Sequence, residues 1–233
     1  MRPCWNRLFV AALLAAMILP ARAAFAAGNL KATLAKLDAA SANFHTATAD
    51  FEFDSVQTDP VPDKDVQNGV VYYKRGGSAF QMGVHINDVN GQKVPKVIVC
   101  CQGGVVKLYE EKLNQVTTLG KLSQYESWFM LGFGASGKDL AEKWDITDDG
   151  PEMVSGVNTE KLEMIPKDPA VKRNIPKVTL WMDLERGVSL KQLFDEGPGQ
   201  YRVAMYSNIK MNRSQPSDAF SIKTNKQTTF VSR

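Results

Sequence analysis

Residues 79–88, AFQMGVHIND, alternate strictly: Phe80, Met82, Val84 and Ile86 on one side, Gln81, Gly83, His85 and Asn87 on the other. A helix cannot gather positions two apart onto one face. An extended strand does so automatically, because successive side chains point to opposite faces. The same period occurs upstream in TATADFEFDS, where Ala47, Ala49, Phe51 and Phe53 alternate with Thr48, Asp50, Glu52 and Asp54. Between them NGVVYYKRGG reads as a strand closed by a Gly-Gly turn, and beyond them KVIVCCQGGVVKLYEE as a hairpin turning at Gly103-Gly104. One-sided strands joined by short turns make an antiparallel sheet with one apolar face.

That face needs a cover, and the sequence offers little. Leu30, Leu34, Leu37, Ser41 and Phe44 recur at helical spacing and predict an opening helix. The centre, LSQYESWFMLGFGASGKDLAEKW, joins an apolar aromatic cluster, a glycine-rich bend and a short helix for which Ser136 is the cap. Strands then resume: VNTEKLEMIP, KVTLWMDLE, SLKQLFDE, GQYRVAMYSNIKMN and DAFSIKT, separated by Pro-, Gly- or Asp-rich turns. This is one α+β domain without internal repeats. With two short helices as cover, the sheet either curls partly on itself around a hollow lined by Phe51, Phe53, Phe80, Met82 and Val84, or packs solid. Patterning leaves both open.

The start of the chain bears on compartment. MRPCWNR carries two arginines and no acid, LFVAALLAAMIL is apolar, and Ala21-Arg22-Ala23 and Ala24-Phe25-Ala26 are small-x-small sites. That order is a secretory leader, and its apolar run falls short of the roughly 20 residues that span a bilayer. The expected organisation is a cleaved signal over residues 1–26 and one domain over 27–233. Taking the leader's three arginines from 28 Lys+Arg leaves 25 basic against 25 acidic residues, so the net +3 belongs to the leader. A neutral remainder argues against nucleic acid as partner.

The motifs that suggest chemistry lose it in context. In GFGASGKDL, Gly132, Gly134 and Gly137 match a dinucleotide fingerprint, and Gly132 to Lys138 nearly match a phosphate loop. The first needs a βαβ unit, and the second needs Ser or Thr where Asp139 stands. The glycines read instead as a bend holding SWFMLGF as a movable apolar flap. His45 and His85 are the chain's two histidines, no Cys-x-x-Cys accompanies them, and no nucleophile elbow appears, so no metal, cofactor or catalytic set is expected. Asp148-Asp149 and Glu110-Glu111 read as solvated charges in turns. Cys100 and Cys101, neighbours on a strand, are either two packed thiols or a vicinal redox pair.

The order of these pieces resembles the outer-membrane lipoprotein carrier family (LolA-like) along nearly the whole length after the leader. LKATLAKLDAASANFHTATADF resembles its opening helix and first strand, GVVYYKR its strand ending in Lys-Arg, and GGVVKLYEEKLNQVTT its Gly-turn hairpin. SWFMLGF resembles its Pro-Phe-Met-Leu helix, and YSNIKMN with DAFSIKT its closing strands. The resemblance implies a half-open, strongly curved antiparallel sheet, an incomplete barrel capped by short helices around an apolar cavity. It also implies a monomeric, non-enzymatic carrier in the Gram-negative periplasm that holds the acyl chains of lipoproteins. Cargo comes from an inner-membrane lipoprotein-releasing ABC transporter and passes to an outer-membrane lipoprotein acceptor. The cavity residues implied are Phe51, Phe53, Val71, Tyr73, Phe80, Met82, Val84, Trp128, Phe129, Met130 and Leu131. Arg75 falls where the family has an arginine that latches the lid of the empty form, whereas residue-level reading alone makes it a turn arginine. Gly76 departs from the family's Pro. A lipid- or lipoprotein-sensing module on the same fold is the alternative, and an exported enzyme a more distant one.

Overall fold

The computed structural model describes residues 28–76, 79–102, 104–122 and 131–232. The expected signal, residues 1–26, and Trp128, Phe129 and Met130 of the expected flap lie outside them. The described strands are β1 (Thr46–Gln57), β2 (Asp63–Gly76), β3 (Ala79–Val89), β4 (Gln92–Gln102), β5 (Val105–Glu110) and β6 (Gln115–Lys121), then β7 (Trp144–Val154), β8 (Val157–Pro166), β9 (Lys177–Asp183), β10 (Val188–Asp195), β11 (Gln200–Met211) and β12 (Thr229–Ser232). They form a single sheet in the order β12-β6-β5-β4-β3-β2-β1-β11-β10-β9-β8-β7. Every pairing is antiparallel except β12 on β6. The sheet curves without closing, with β12 and β7 at its two edges. Among the described residues no helix is long and apolar enough to cross a membrane.

Helices fill half of the concave face. In α1 (Leu30–Ala42) Asn29 caps the first turn, its side chain accepting from the Ala32 amide, and Thr33, Leu37 and Ser41 form the buried stripe. Ser136 caps α2 (Gly137–Lys143) by accepting from the Asp139 amide at 3.0 Å, as its sequence position predicts. Leu37 and Leu140 from these helices pack with Leu162, Met164, Val178, Leu180 and Met182 from β8 and β9. The other half of the face is lined by Ala47, Ala49, Phe51, Val71, Tyr73 and Met82, the alternating positions of β1 to β3.

The glycines of GFGASGKDL let a loop lie flat against its neighbours. Gly132 and Gly134 hold φ of 76° and 74°, where L side chains are strained. A Cβ on Gly134 would also lie 2.5 Å from the Phe44 ring.

Three sequence expectations are corrected. DAFSIKT is not a strand: residues 213–228 cross the outer face as a strap, turning through bonds such as Ala219 N–H to Pro216 O. Its Phe220 and Ile222 pack on Ile98, Cys100, Tyr109 and Val116, so its apolar residues serve a crossing rather than a ladder. The strap also buries His85, whose pKa burial and the nearby Lys96 push down. Cys100, a free thiol, donates to Phe220 O at 2.6 Å, while Cys101, also free, sits in the core of the other face. Second, Asp148 and Asp149 stand in β7 instead of a turn, because Gly150 and Pro151 are absorbed at a bulge on the sheet's edge. Third, the β8–β9 connection holds a helix, α3 (Pro169–Asn174), capped by Asp168 with Pro at its start.

Asp148 is buried rather than solvated. Thr33 donates to its Oδ2 at 2.7 Å and the Gly150 amide to its Oδ1 at 3.0 Å, tying α1 to β7. Glu160 is its neighbour, with a pKa pushed up to about 7 by burial, by the hydrogen bond to Asp148 and by that residue's charge. A carboxyl that holds its proton in the fold but has a pKa near 4.3 when unfolded stabilises the protein at low pH. That stabilisation is lost as pH rises through about 7. Denaturation midpoints are therefore expected to fall between pH 5 and pH 8, and Glu160→Gln to flatten that slope; an unchanged slope refutes the assignment. Gly134→Ala is expected to cost about 2–4 kcal/mol by urea unfolding, from strain plus overpacking, against about 1–2 kcal/mol for Gly156→Ala. Gly156 has the same sign of φ but open space around it. Equal losses would show that the Phe44 contact contributes nothing.

Candidate functional site

The uncovered half of the concave face is a cavity of about 910 Å³, at the upper end of the roughly 300–1,000 Å³ typical of ligand pockets. Its floor is the alternating stripe: Phe51 and Phe53 of β1, Val71 and Tyr73 of β2, Met82, Val84 and Ile86 of β3, and Val99 of β4. Leu131 closes one side. Ala170, Val171 and Ile175, on and just after α3, stand opposite with Phe194 of β10.

Of the residues singled out from sequence, Phe51, Phe53, Val71, Tyr73, Met82, Val84 and Leu131 come together on this wall. Phe80 shares their parity but lies one layer away. It is buried against Tyr73, ring centroids 6.0 Å apart, and does not line the hollow. Sequence reasoning missed Phe194, Arg202 and α3. The signal for α3 was present in DPAVKRN, an Asp cap followed by Pro at the first helical position.

One end of the cavity is shut by aromatic rings. Phe133 stacks on Tyr73 at 4.3 Å and meets Tyr206 edge-on at 4.8 Å. The polar atoms there satisfy one another. The Tyr73 hydroxyl donates to Tyr206, which donates to Gln192 Oε1 at 3.3 Å, and Gln192 Nε2 donates to Leu131 O at 2.7 Å. Burial pushes both phenols up, so they stay neutral.

Arg75 closes the same end from outside. Its Nη1 donates to Ser41 O, at the last turn of α1, at 3.2 Å, and its Nη2 to Gly134 O in the glycine loop. The guanidinium carbon lies 5.9 Å from the centroid of the Phe44 ring. Its backbone amide bonds His45 O at 2.8 Å. One side chain thus ties β2, α1 and the loop after residue 130.

A second hollow of about 550 Å³ is lined by Asp50, Glu52, Asn68 and Asn87 together with Val70, Met205 and Ser207, and mixes polar with apolar surface. Among the described residues no group of three or more His, Cys, Asp or Glu could hold a metal.

No family model matches the chain. An uncharacterized protein of Methanocaldococcus jannaschii is 26% identical over 124 residues, 53% of this chain and 34% of its own length, so the match spans about a third of that relative. Among solved structures, an uncharacterized conserved protein from Thermus thermophilus is similar at TM-score 0.55 and 11% identity, over 87% of this chain and 98% of that one. MucB is similar at TM-score 0.51 and 14% identity, over 86% of this chain and 65% of that one. A LolA superfamily protein from Nitrosomonas europaea matches at TM-score 0.41 and 16% identity, over 84% and 99%. At such identities likeness speaks for fold alone, and the fold of this chain is a curved, unclosed antiparallel sheet with a few short helices.

Proposed function

We propose that the chain is an exported, single-domain carrier that shelters acyl chains in this cavity and moves them between membranes. The observation that carries the reading is the floor of the hollow: eight apolar or aromatic side chains from four strands face an unfilled space. Each methylene moved from water into such a lining is worth about 0.8 kcal/mol, so ten contribute roughly 8 kcal/mol. Cargo of that kind cannot cross water unshielded. A hollow that takes it up needs no nucleotide, metal or catalytic group. The finer reading is a periplasmic shuttle for lipoproteins, loaded by an inner-membrane releasing transporter and unloaded onto an outer-membrane acceptor.

Arg75 then has a mechanical part. While it donates to Ser41 and Gly134 the closed end is held, and a bulky guest that displaces the glycine loop must break those bonds. Closure competes with cargo and so promotes release.

Delipidated protein is expected to take up a fluorescent fatty acid and to form a soluble complex with a triacylated lipoprotein. Val84→Glu, which puts a carboxylate on the half-buried floor, is expected to lower uptake at least about tenfold. A wild-type protein that binds neither probe sinks the reading. Arg75→Leu is expected to retain uptake but slow transfer to acceptor membranes, with faster amide exchange at residues 131–137. Unchanged transfer and exchange would leave the arginine without a latch role.

A further inference from the structure

Polarity along the cavity is graded, and its two ends differ in kind. In register, the floor runs from Tyr73 beside Met82, through Val71 beside Val84, to Phe53 beside Gln67, and Arg202 pairs with Phe194 at the far end. At the Tyr73 end every polar group named above is already bonded within the protein, so a guest's polar atoms find no partner there. At the other end Arg202 and Glu196 both line the opening, joined by an ion pair of 3.0 Å. Arg202 has the parity of Ala204 and Tyr206 and therefore faces inward, where an apolar residue would serve a hydrocarbon shelter better. Its side chain is 47% exposed, and the pair engages one Nη nitrogen, leaving the other donors of the fork for a guest.

The geometry points to a head-group subsite: Arg202 receives the phosphate of a zwitterionic diacyl phospholipid, and Glu196 faces the amine of the same head. Guanidinium forks match phosphate oxygens, which accounts for the first contact. A purely anionic head would meet the Glu196 carboxylate beside its arginine, whereas a head carrying both signs suits both partners. Capacity fixes the number of chains. Taking a methylene as similar in size to a water, about 30 Å³, the cavity of about 910 Å³ holds roughly thirty, or two ordinary acyl chains. The inference rests on the acyl-shelter reading above and adds which lipid fits.

The test uses the delipidated full chain, displacement of a bound fluorescent fatty acid, and three ligands with matched chains: phosphatidylethanolamine, phosphatidylglycerol and diacylglycerol. Phosphatidylethanolamine is expected to displace at least about tenfold better than diacylglycerol, and several-fold better than phosphatidylglycerol. Arg202→Gln should reduce it to the diacylglycerol level while leaving diacylglycerol binding intact, which also certifies the variant's fold. Glu196→Gln should erase the distinction between the two phospholipids. Inorganic phosphate, added alone, should displace nothing; displacement by it would mean a small-anion site and overturn the proposal. Equal binding of all three lipids, or an unchanged preference in Arg202→Gln, overturns the subsite but leaves the shelter standing. Failure of all three overturns both.

Discussion

An apolar face with too little to cover it is the constraint from which the rest of this molecule follows. The sheet turns the alternate residues of β1 to β4 and of β8 to β10 to the same concave side. Of the described helices, α1 and α2 settle over the β7–β10 half, where Leu37 and Leu140 complete a core with Leu162, Met164 and Leu180. Burying a large aliphatic side chain is worth roughly 1.5–3 kcal/mol, so that half is cohesive enough to hold the helices in place. Over the other half the sheet's curvature substitutes for a cover, bringing Phe194 and α3 across from Val84 and Val99 without filling the gap.

The two halves are joined by polar links where the apolar contacts run out. Arg75 supplies donors to carbonyls of α1 and of the glycine loop, and the loop in turn is bonded to β10 through Ser189 N–H to Gly132 O at 2.7 Å. Gly132 and Gly134 are needed there because only backbone without a Cβ can come so close to β10 and Phe44 at positive φ. The motif that looked like a phosphate loop is thus a packing contact against β10 and Phe44. Its glycines answer to crowding, and a fingerprint defined by spacing alone cannot tell that need from the approach of a pyrophosphate.

What could be read from the sequence was whatever depends on strand parity. Phe51, Phe53, Val71, Tyr73, Met82 and Val84 follow from period two, since a one-residue slip would turn them all outward. Phe80 shows the limit of that reasoning: parity gives the face, but depth along the strand decides whether a residue lines the hollow or lies beside it. β7 was hidden because Gly150 and Pro151 are turn residues that an edge strand tolerates. The strap of residues 213–228 alternates like a strand yet crosses the others, and its partners, Ile98 and Val116, lie about a hundred residues away in sequence. Arg202 was passed over because an arginine in GQYRVAMY reads as solvent-facing until the register with Phe194 places it at the cavity.

On the proposed reading the protein has to hold its cargo and also give it up, and the energies of this architecture allow both. Ten buried methylenes contribute roughly 8 kcal/mol, which by itself corresponds to a dissociation constant of about 1 μM. A second chain pushes the figure toward irreversible capture, so something must oppose it. On that reading the opposition comes from bonds the protein makes within itself. The Tyr73–Tyr206–Gln192 chain and the Arg75 bonds are complete without a guest, and hydrogen bonds that involve a charge are worth about 1.5–3 kcal/mol each. A guest that parts the Arg75 contacts forfeits that sum, and the protein regains it when the guest leaves. Affinity is thereby lowered without making the wall less apolar, which a softer lining could achieve only by losing selectivity for hydrocarbon.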